Sequence, residues 1–194
     1  MSQPVHVSPD LDDLIQRLDA AARRSGPHAI CQGVKETLID LATQHASAIP
    51  EELFEEDPAR YARRLIHRCP NGTFSVMIMV WAPGQGTAVH DHAGKWCVEC
   101  VLRGQIEITA YTPHGDPSTD AVVELTEAAT IVADVGDVGI LVPPNEYHRI
   151  RNAGSETAAT IHVYAGELLW CHTFRPHPEG DGFTRERSEL CYNE

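Results

Sequence analysis

The segment from Gly84 to Gly104, GQGTAVHDHAGKWCVECVLRG, strongly limits the folds open to this chain. Its β-type residues and flanking glycines are typical of short strands between turns. His90 and His92 lie two residues apart within it. At that spacing in a strand, side chains point to the same face, roughly 6–7 Å apart along the chain. Two such imidazoles can bind one metal ion without backbone distortion, so we expect a β-structure with a metal site.

A third histidine, His148, follows the turn PPNEY at the head of another short β-type run. Three neutral nitrogen ligands suit a redox-capable divalent metal and leave coordination positions open for substrates. A histidine pair alone is weak support, because surface histidines pair by chance and a buried histidine is often a hydrogen-bonded core residue. The glycine spacing around the pair makes the metal interpretation more specific.

The composition is that of a globular chain: 194 residues, 42% apolar and 22% charged. This length suits a single domain with a full core. The net charge of −13 argues against a nucleic-acid or anionic-membrane partner. No apolar run approaches the ~20 residues of a membrane span, and no secretory signal is visible. We therefore expect a cytoplasmic protein with reduced cysteines, compatible with a monomer.

The N-terminal part, about residues 9–68, has the apolar spacing of amphipathic helices. A first helix is followed by a second, expected at about 30–45. Pro58 favours a third helix, which would carry Tyr61 and Arg63. These residues predict a helical layer in front of the rest of the chain.

From about residue 73 to 173 the chain changes to short β-type runs separated by glycine and proline. The expected strands are Phe74–Trp81, Trp96–Leu102, Gln105–Tyr111, Ala121–Leu125, Thr130–Val132, Val138–Val142, His148–Arg151 and Thr157–Tyr164. Such strands favour a sandwich or small barrel. The polar tail, 174–194, is expected to cover the barrel mouth or to fray. The predicted fold class is α+β dominated by β, a single domain over 1–194 with a helical layer on a jelly-roll barrel.

The spacing within Gly84–Gly104 resembles the first motif of the cupin superfamily, with Cys97 in place of the usual glutamate. The stretch PPNEYHRIRN after Gly136 resembles the second cupin motif, with Asn145 where glycine is common. Glu99 shares a strand face with Cys97 and is a rival ligand, but it lies two residues beyond the usual glutamate position. The resemblance implies a cupin barrel with the metal ligands His90, His92 and His148.

Several separated segments resemble the thiol dioxygenases of the cupin superfamily, among them the cysteine dioxygenases. The likeness covers about residues 58–175. The matching segments are Tyr61-x-Arg63, Asn71-Gly72-x-Phe74, Met77-Ile78 with Trp81, His90-Asp91-His92 with Cys97, His148-Arg149, Thr160-x-His162-x-Tyr164 and Cys171-His172. This resemblance implies an iron(II) enzyme that adds both atoms of dioxygen to a thiol sulfur, converting L-cysteine to cysteine sulfinic acid.

The resemblance also implies roles for the site residues. Arg63, with Tyr61 and Trp81, would bind the substrate carboxylate, since a guanidinium matches a carboxylate with two hydrogen bonds. The alternative for Arg63 is an ordinary arginine on a helix surface. The alternative for Trp81 is a side chain that only fills the core. The expected catalytic residues are Thr160, His162 and Tyr164, which share one strand face, and Cys97 on another strand, which could form a thioether to Tyr164 as the resemblance implies.

Two departures from the family leave the substrate open. Ala165-Gly166 stands where Ser-Pro is common, and Thr160 stands where serine is more usual. Another carboxylated thiol, such as 3-mercaptopropionate or mercaptosuccinate, is therefore an alternative substrate. A non-catalytic metal-binding cupin sensor and a zinc or nickel isomerase are alternatives from other functional classes.

Overall fold

The computed structural model describes residues 9–117, 122–144 and 146–193. Two α-helices open this part of the chain, and two single 3-10 turns follow them. The bounds are α1 Pro9–Ala22, α2 Pro27–Gln44, and the 3-10 turns Ala46–Ala48 and Glu51–Phe54. Leu14 and Leu18 of α1 are buried against the rest of the chain, as their helical spacing predicts. Gly26 separates the helices with a φ of 84°, a conformation that favours glycine.

Strands make up the rest of the described chain. They are β1 Ala62–Arg68, β2 Phe74–Trp81, β3 Val89–His90, β4 Cys97–Arg103, β5 Ile106–His114, β6 Val122–Ala133, β7 Val138–Leu141, β8 His148–Arg151, β9 Ala158–Ala165, β10 Trp170–Pro176 and β11 Phe183–Glu189. The predicted bounds of β2 and β8 are confirmed. The two runs predicted at 121–125 and 130–132 instead form one continuous strand, β6, paired with β5 along its length.

The strands form two antiparallel layers. One is a five-stranded sheet in the order β1-β2-β9-β4-β7, and the other is a closed ring in the order β10-β11-β6-β5-β8-β3. The expected jelly-roll barrel with an N-terminal helical layer is thereby confirmed. The ring brings β3 beside β8, so His90 lies opposite His148 in the strand register.

The five-stranded sheet has a core on each face. Alternate β2 residues, such as Ile78, pack with α1 and α2 in one cluster. The intervening residues, such as Met79 and Trp81, point into the barrel and pack with residues of the ring, such as Ile150. Burial on both faces explains why β2 is apolar at every position except Ser75, whose hydroxyl donates to the Gly166 carbonyl. The side chains of this sheet that point into the barrel lie where the functional site forms.

The prediction of a third helix at Pro58 was wrong. Residues 62–68 form β1, which pairs antiparallel with β2, so the barrel begins before residue 73. A register shift between Leu65 and His67 breaks the strict alternation that would have indicated a strand. The main-chain hydrogen bonds offered by the edge of β2 override the local helical preference.

The prediction of a polar tail that covers the mouth or frays was wrong for residues 174–176 and 183–189, which lie in strands, whereas Leu190 and Tyr192 pack against the core inside the barrel. β10 and β11 pair with each other across their full lengths and complete the ring. Phe174 is 1% exposed and belongs to a small apolar cluster. β11 was not predicted because its sequence is polar, whereas its pairing with β10 is made by main-chain hydrogen bonds. Among the described helices, none has the length and apolarity needed to cross a membrane.

Candidate metal centre

Three histidines meet at the end of the barrel where β3 and β8 pair. His90 ends β3, His92 follows it after one extended residue, and His148 begins β8. Their ring centroids are 5.2 Å apart for His90 and His92, 4.6 Å for His90 and His148, and 5.0 Å for His92 and His148. One ring nitrogen of each lies within 4.8 Å of the others. The predicted ligands are therefore brought together at a spacing that one metal ion can bridge.

The hydrogen-bonding state of these rings fits a metal. Both nitrogens of His92 and of His148 are buried and have no hydrogen-bond partner among the described residues. Unpaired buried nitrogens are costly, and a bound cation would satisfy one on each ring. Burial lowers the pKa of both rings well below the usual value, which keeps them neutral, as ligation requires. His90 Nδ1 contacts the Ala88 carbonyl at 3.1 Å, so donation there leaves Nε2 free as a ligand.

Asp91 fixes the turn that carries the histidine pair. Its Oδ1 accepts from the main-chain N–H of His172 at 2.8 Å and of Ala93 at 3.1 Å. Its Oδ2 lies 2.8 Å from His172 Nδ1. Sequence reasoning quoted this aspartate but assigned it no role. The sequence feature that could have indicated this role is the position of Asp91 between two candidate ligands, together with His172 later in the chain.

Three side chains of β9 form a hydrogen-bonded row inside the barrel. Thr160 Oγ1 lies 2.7 Å from His162 Nε2, and His162 Nδ1 lies 3.3 Å from the Tyr164 hydroxyl. Trp81 Nε1 donates to Thr160 Oγ1 at 3.0 Å, which anchors the row at its far end. The prediction that these three residues share a face is confirmed. Burial, with a contribution from the positive charge of Arg63, lowers the pKa of His162 to about 3.

Cys97 lies beside Tyr164 on the neighbouring strand. The two residues are direct register partners between β4 and β9, and Cys97 Sγ is 4.0 Å from His162 Nδ1. Burial raises the pKa of the Cys97 thiol and of the Tyr164 phenol well above their usual values. Both groups therefore keep their protons near neutral pH. The pair is adjacent in the sheet rather than opposed across the barrel.

A cavity of about 240 Å³ joins His90 and His148 to the predicted substrate residues. Its lining includes Tyr61, Arg63, Trp81, His90, His148, His162 and Tyr164. The rings of Tyr61 and Trp81 stack with centroids 4.6 Å apart and form one wall. Arg63 is 3% exposed, and its Nη2 donates to the Leu168 carbonyl at 2.6 Å. Its Nε and Nη1 have no hydrogen-bond partner in the described part of the chain.

Glu99 is a buried acid that sequence reasoning undervalued. It was considered only as a rival metal ligand, and it is not part of the three-histidine group. It lies with Cys97 and His162 in a second cluster of potential ligand atoms. Burial raises the pKa of its carboxyl to about 8. The sequence feature that indicates a buried acid is the position of Glu99 as the single acidic residue in the apolar, β-type run VECVL. Asn145, placed in the second cupin motif, lies outside the described residues.

Residues 40–177 match the family model for cysteine dioxygenase type I. Cysteine dioxygenase type 1 from Rattus norvegicus is 30% identical over 122 residues, which is 61% of this chain and 57% of that protein. The Homo sapiens protein of the same description is 27% identical over 135 residues, 63% of this chain and 65% of that protein. The chain thus spans less than two thirds of the length of these relatives.

Solved structures give more distant matches. A Thermus thermophilus protein has a TM-score of 0.45 and 20% identity, with 60% of this chain and 92% of that chain covered. A Klebsiella pneumoniae protein described as having a double-stranded beta-helix domain has a TM-score of 0.46 and 18% identity, covering 70% of this chain and 94% of that chain.

The family match includes β1 to β10 and hence every residue of the histidine cluster and the β9 row, together with Arg63. It extends over well more than half of the sequence. This chain belongs to the cysteine dioxygenase type I family.

Proposed function

We propose that this chain is an iron(II)-dependent thiol dioxygenase that adds both atoms of dioxygen to the sulfur of a small carboxylated thiol. Conversion of L-cysteine to cysteine sulfinic acid is the preferred reaction. The observation that carries the proposal is one small cavity lined by two of the three clustered histidines, His90 and His148, and by buried Arg63, whose Nε and Nη1 have no partner among the described residues. Family membership supports the same reaction class.

Iron(II) suits the donor set. Three neutral imidazoles without a carboxylate leave the charge of a divalent metal uncompensated, which favours an anionic sulfur ligand. When bound by His90, His92 and His148, iron(II) would supply redox chemistry toward dioxygen and would lower the pKa of a coordinated thiol. Zinc at the same ligands could not supply the redox part. The neutral, buried state of the rings supports metal binding over a hydrogen-bonded core role.

Arg63 would bind the substrate carboxylate. Its unpartnered Nε and Nη1 point to a missing acceptor, because a buried guanidinium normally has its donors satisfied. A carboxylate supplies two acceptor oxygens in the planar geometry that arginine matches. The cavity is smaller than the roughly 300–1,000 Å³ typical of drug-sized ligands, which favours a substrate of few heavy atoms. The stacked rings of Tyr61 and Trp81 help to keep water away from this contact.

The β9 row would orient the phenol of Tyr164 at the reacting sulfur. His162 stays neutral because burial lowers its pKa, and Tyr164 keeps its proton because burial raises its pKa. The tyrosine hydroxyl can therefore donate a hydrogen bond into the cavity. Thr160 holds His162 through Nε2, in place of the serine more usual in the family. This row favours an enzyme over a metal-binding sensor, since binding alone needs no such donor.

The segment after Tyr164 could change the substrate. Gly166 has a φ of 74°, and a Cβ there would lie 3.0 Å from the Gly72 carbonyl oxygen, so a bulkier residue would strain this turn. The Ser-Pro common in the family cannot be accommodated with the same backbone. Another carboxylated thiol, 3-mercaptopropionate or mercaptosuccinate, is therefore the second candidate. The buried free thiols favour a reducing compartment, and we propose the cytoplasm.

Oxygen consumption by the iron-loaded protein, with quantified sulfinate, tests the proposed reaction. We expect kcat/KM for L-cysteine to exceed that for cysteamine, which lacks a carboxylate, by about 30-fold or more. A higher value for 3-mercaptopropionate or mercaptosuccinate would change the substrate and keep the reaction. Absence of oxygen uptake with every thiol, at full iron occupancy, would favour the sensor or the isomerase.

A second prediction concerns the Cys97 and Tyr164 pair. We expect turnover to form a thioether between the sulfur and a ring carbon of Tyr164, with loss of one hydrogen from each residue. Dioxygen is the oxidant, and the cross-linked chain should run as a second, faster band on a denaturing gel. Cys97→Ser should give one band and reduced activity, whereas Tyr164→Phe should be more damaging, because it also removes the hydroxyl. Peptide mapping of aged enzyme that recovers Cys97 wholly as a free thiol would contradict the cross-link alone.

A further inference from the structure

Glu99 lies at the centre of three strands, on the face that points into the barrel. In the register it is opposite His162 of β9 on one side and Gly139 of β7 on the other. It is 4% exposed, and its Oε2 has no hydrogen-bond partner in the described part of the chain. Oε2 is 3.4 Å from His162 Nδ1, and Oε1 is 3.6 Å from His148 Nδ1. A buried acid in this position requires a partner.

Glu99 does not line the cavity that contains Arg63. It lines a second cavity, of about 580 Å³, on the other side of His148, where most of the lining is aliphatic. A substrate held by Arg63 therefore cannot contact Glu99 directly. Any effect of this acid on the reaction must pass through a residue that borders the Arg63 cavity, and His162 is its register partner.

The hydrogen bonds of the β9 row indicate which ring nitrogen of His162 carries the proton. Trp81 donates to Thr160 Oγ1, so the hydroxyl proton of Thr160 is directed to His162 Nε2, 2.7 Å away. Nε2 then acts as the acceptor, and the ring proton of the neutral imidazole is on Nδ1. Nδ1 faces the Tyr164 hydroxyl and Glu99 Oε2. An oxygen of the Glu99 carboxyl group that accepts a hydrogen bond from Nδ1 would hold the ring orientation, also when burial keeps the acid protonated near neutral pH.

Gly139 makes room for the acid. A Cβ at this position would lie 3.0 Å from Glu99 Oε1 and 3.1 Å from its Cγ, closer than ordinary packing allows. Gly139 has no positive φ, so its backbone does not require glycine. The absence of a side chain here is explained by the carboxylate opposite it. The glycine and the acid thus form one local arrangement on adjacent strands.

We infer that Glu99 is a positioning residue: it accepts a hydrogen bond from His162 Nδ1 and holds the ring that orients the Tyr164 hydroxyl. The kinetic part of this inference rests on the proposed function, but the contact between Glu99 and His162 does not. The substitution Glu99→Leu removes the acceptor at similar size. Glu99→Gln keeps an acceptor oxygen and serves as the conservative variant.

The contact is tested first without turnover, by nitrogen-15 NMR of the His162 ring in the zinc-loaded protein. We expect the proton on Nδ1 in all three proteins, because Thr160 occupies Nε2. Loss of the Glu99 oxygen in Glu99→Leu should shift the resonance of the Nδ1 proton upfield, whereas Glu99→Gln should keep it. An unchanged Nδ1 proton resonance in Glu99→Leu would overturn the inference. This outcome is independent of whether the protein oxidises any thiol.

The kinetic test uses iron-loaded enzyme and L-cysteine. Glu99→Leu should lower kcat by about 10- to 100-fold, the usual cost of losing a partner that orients a site residue, with KM and iron content unchanged. Glu99→Gln should recover most of the loss. A fall in iron content would instead make Glu99 a support of His148, and an unchanged kcat would remove it from the site.

Gly139→Ala provides an independent probe, because the added methyl group would displace the carboxylate without altering its chemistry. It should lower kcat in the same manner as Glu99→Leu. In a Glu99→Ala background, which lacks both the carboxylate and the Cγ, the methyl group has nothing to displace, so kcat of the double variant should equal that of Glu99→Ala alone. Additive losses would show that Gly139 acts elsewhere and would contradict the coupling.

Discussion

Replacing His90, His92 or His148 with alanine is expected to abolish iron binding and thiol oxidation together. Each ring would supply one of only three protein ligands, so metal affinity should fall by more than about 100-fold, the upper end of the cost of losing an outer-shell partner. Competition against a chelator measures the affinity, and oxygen uptake measures the activity.

The variants should stay folded. His92→Ala and His148→Ala each remove a buried ring whose two nitrogens have no hydrogen-bond partner in the described part of the chain. The relief of that penalty offsets the lost packing, so the free energy of unfolding of the metal-free protein should change by less than about 2 kcal/mol. His28→Ala, at an exposed position on α2, is the matched control and should retain iron. Stoichiometric iron in any of the three variants would show that its histidine is not a ligand.

The sequence predicted best those features that depend on neighbours in the chain. The bounds of β2 were predicted correctly because the strand is buried on both faces and is therefore apolar at all positions but Ser75. The three histidines were found because their spacing is local and recurs in a known motif. Thr160, His162 and Tyr164 were assigned to one face because strand residues alternate. Each of these inferences depends only on residues that are close together in the chain and on the two-residue alternation of side chains within one strand.

Features that depend on strand pairing were missed. Arg63 was placed on a helix because the free edge of β2, which makes β1 a strand, is not visible locally. Cys97 and Tyr164 are brought together by the register between two adjacent strands, β4 and β9. The same register joins Glu99 to His162 and Gly139. No local pattern specifies which residues of distant strands become partners.

Arg63 and its neighbour Arg64 offer a matched pair of substitutions on β1. Arg63 and Arg64 are consecutive on β1 and point to opposite faces. Arg63 points into the cavity, where its Nε and Nη1 have no hydrogen-bond partner among the residues that the structure describes. Arg64 points away and donates to the main-chain carbonyls of Leu53 at 3.3 Å and Glu55 at 2.6 Å. The two arginines therefore have the same charge and neighbouring positions but different surroundings.

Arg63→Ala should lower kcat/KM for L-cysteine by ~30- to 1,000-fold, equivalent to ~2–4 kcal/mol of transition-state binding, because it removes a charge-assisted bidentate contact. Cysteamine has no carboxylate, so it should be a poor substrate of the unsubstituted enzyme and should be hardly affected by the change. Arg64→Ala controls for the loss of a positive charge on β1 and should alter kcat/KM for L-cysteine by less than about twofold, since surface charges contribute little at this distance. Equal losses for cysteine and cysteamine would remove Arg63 from substrate binding and assign it a structural role.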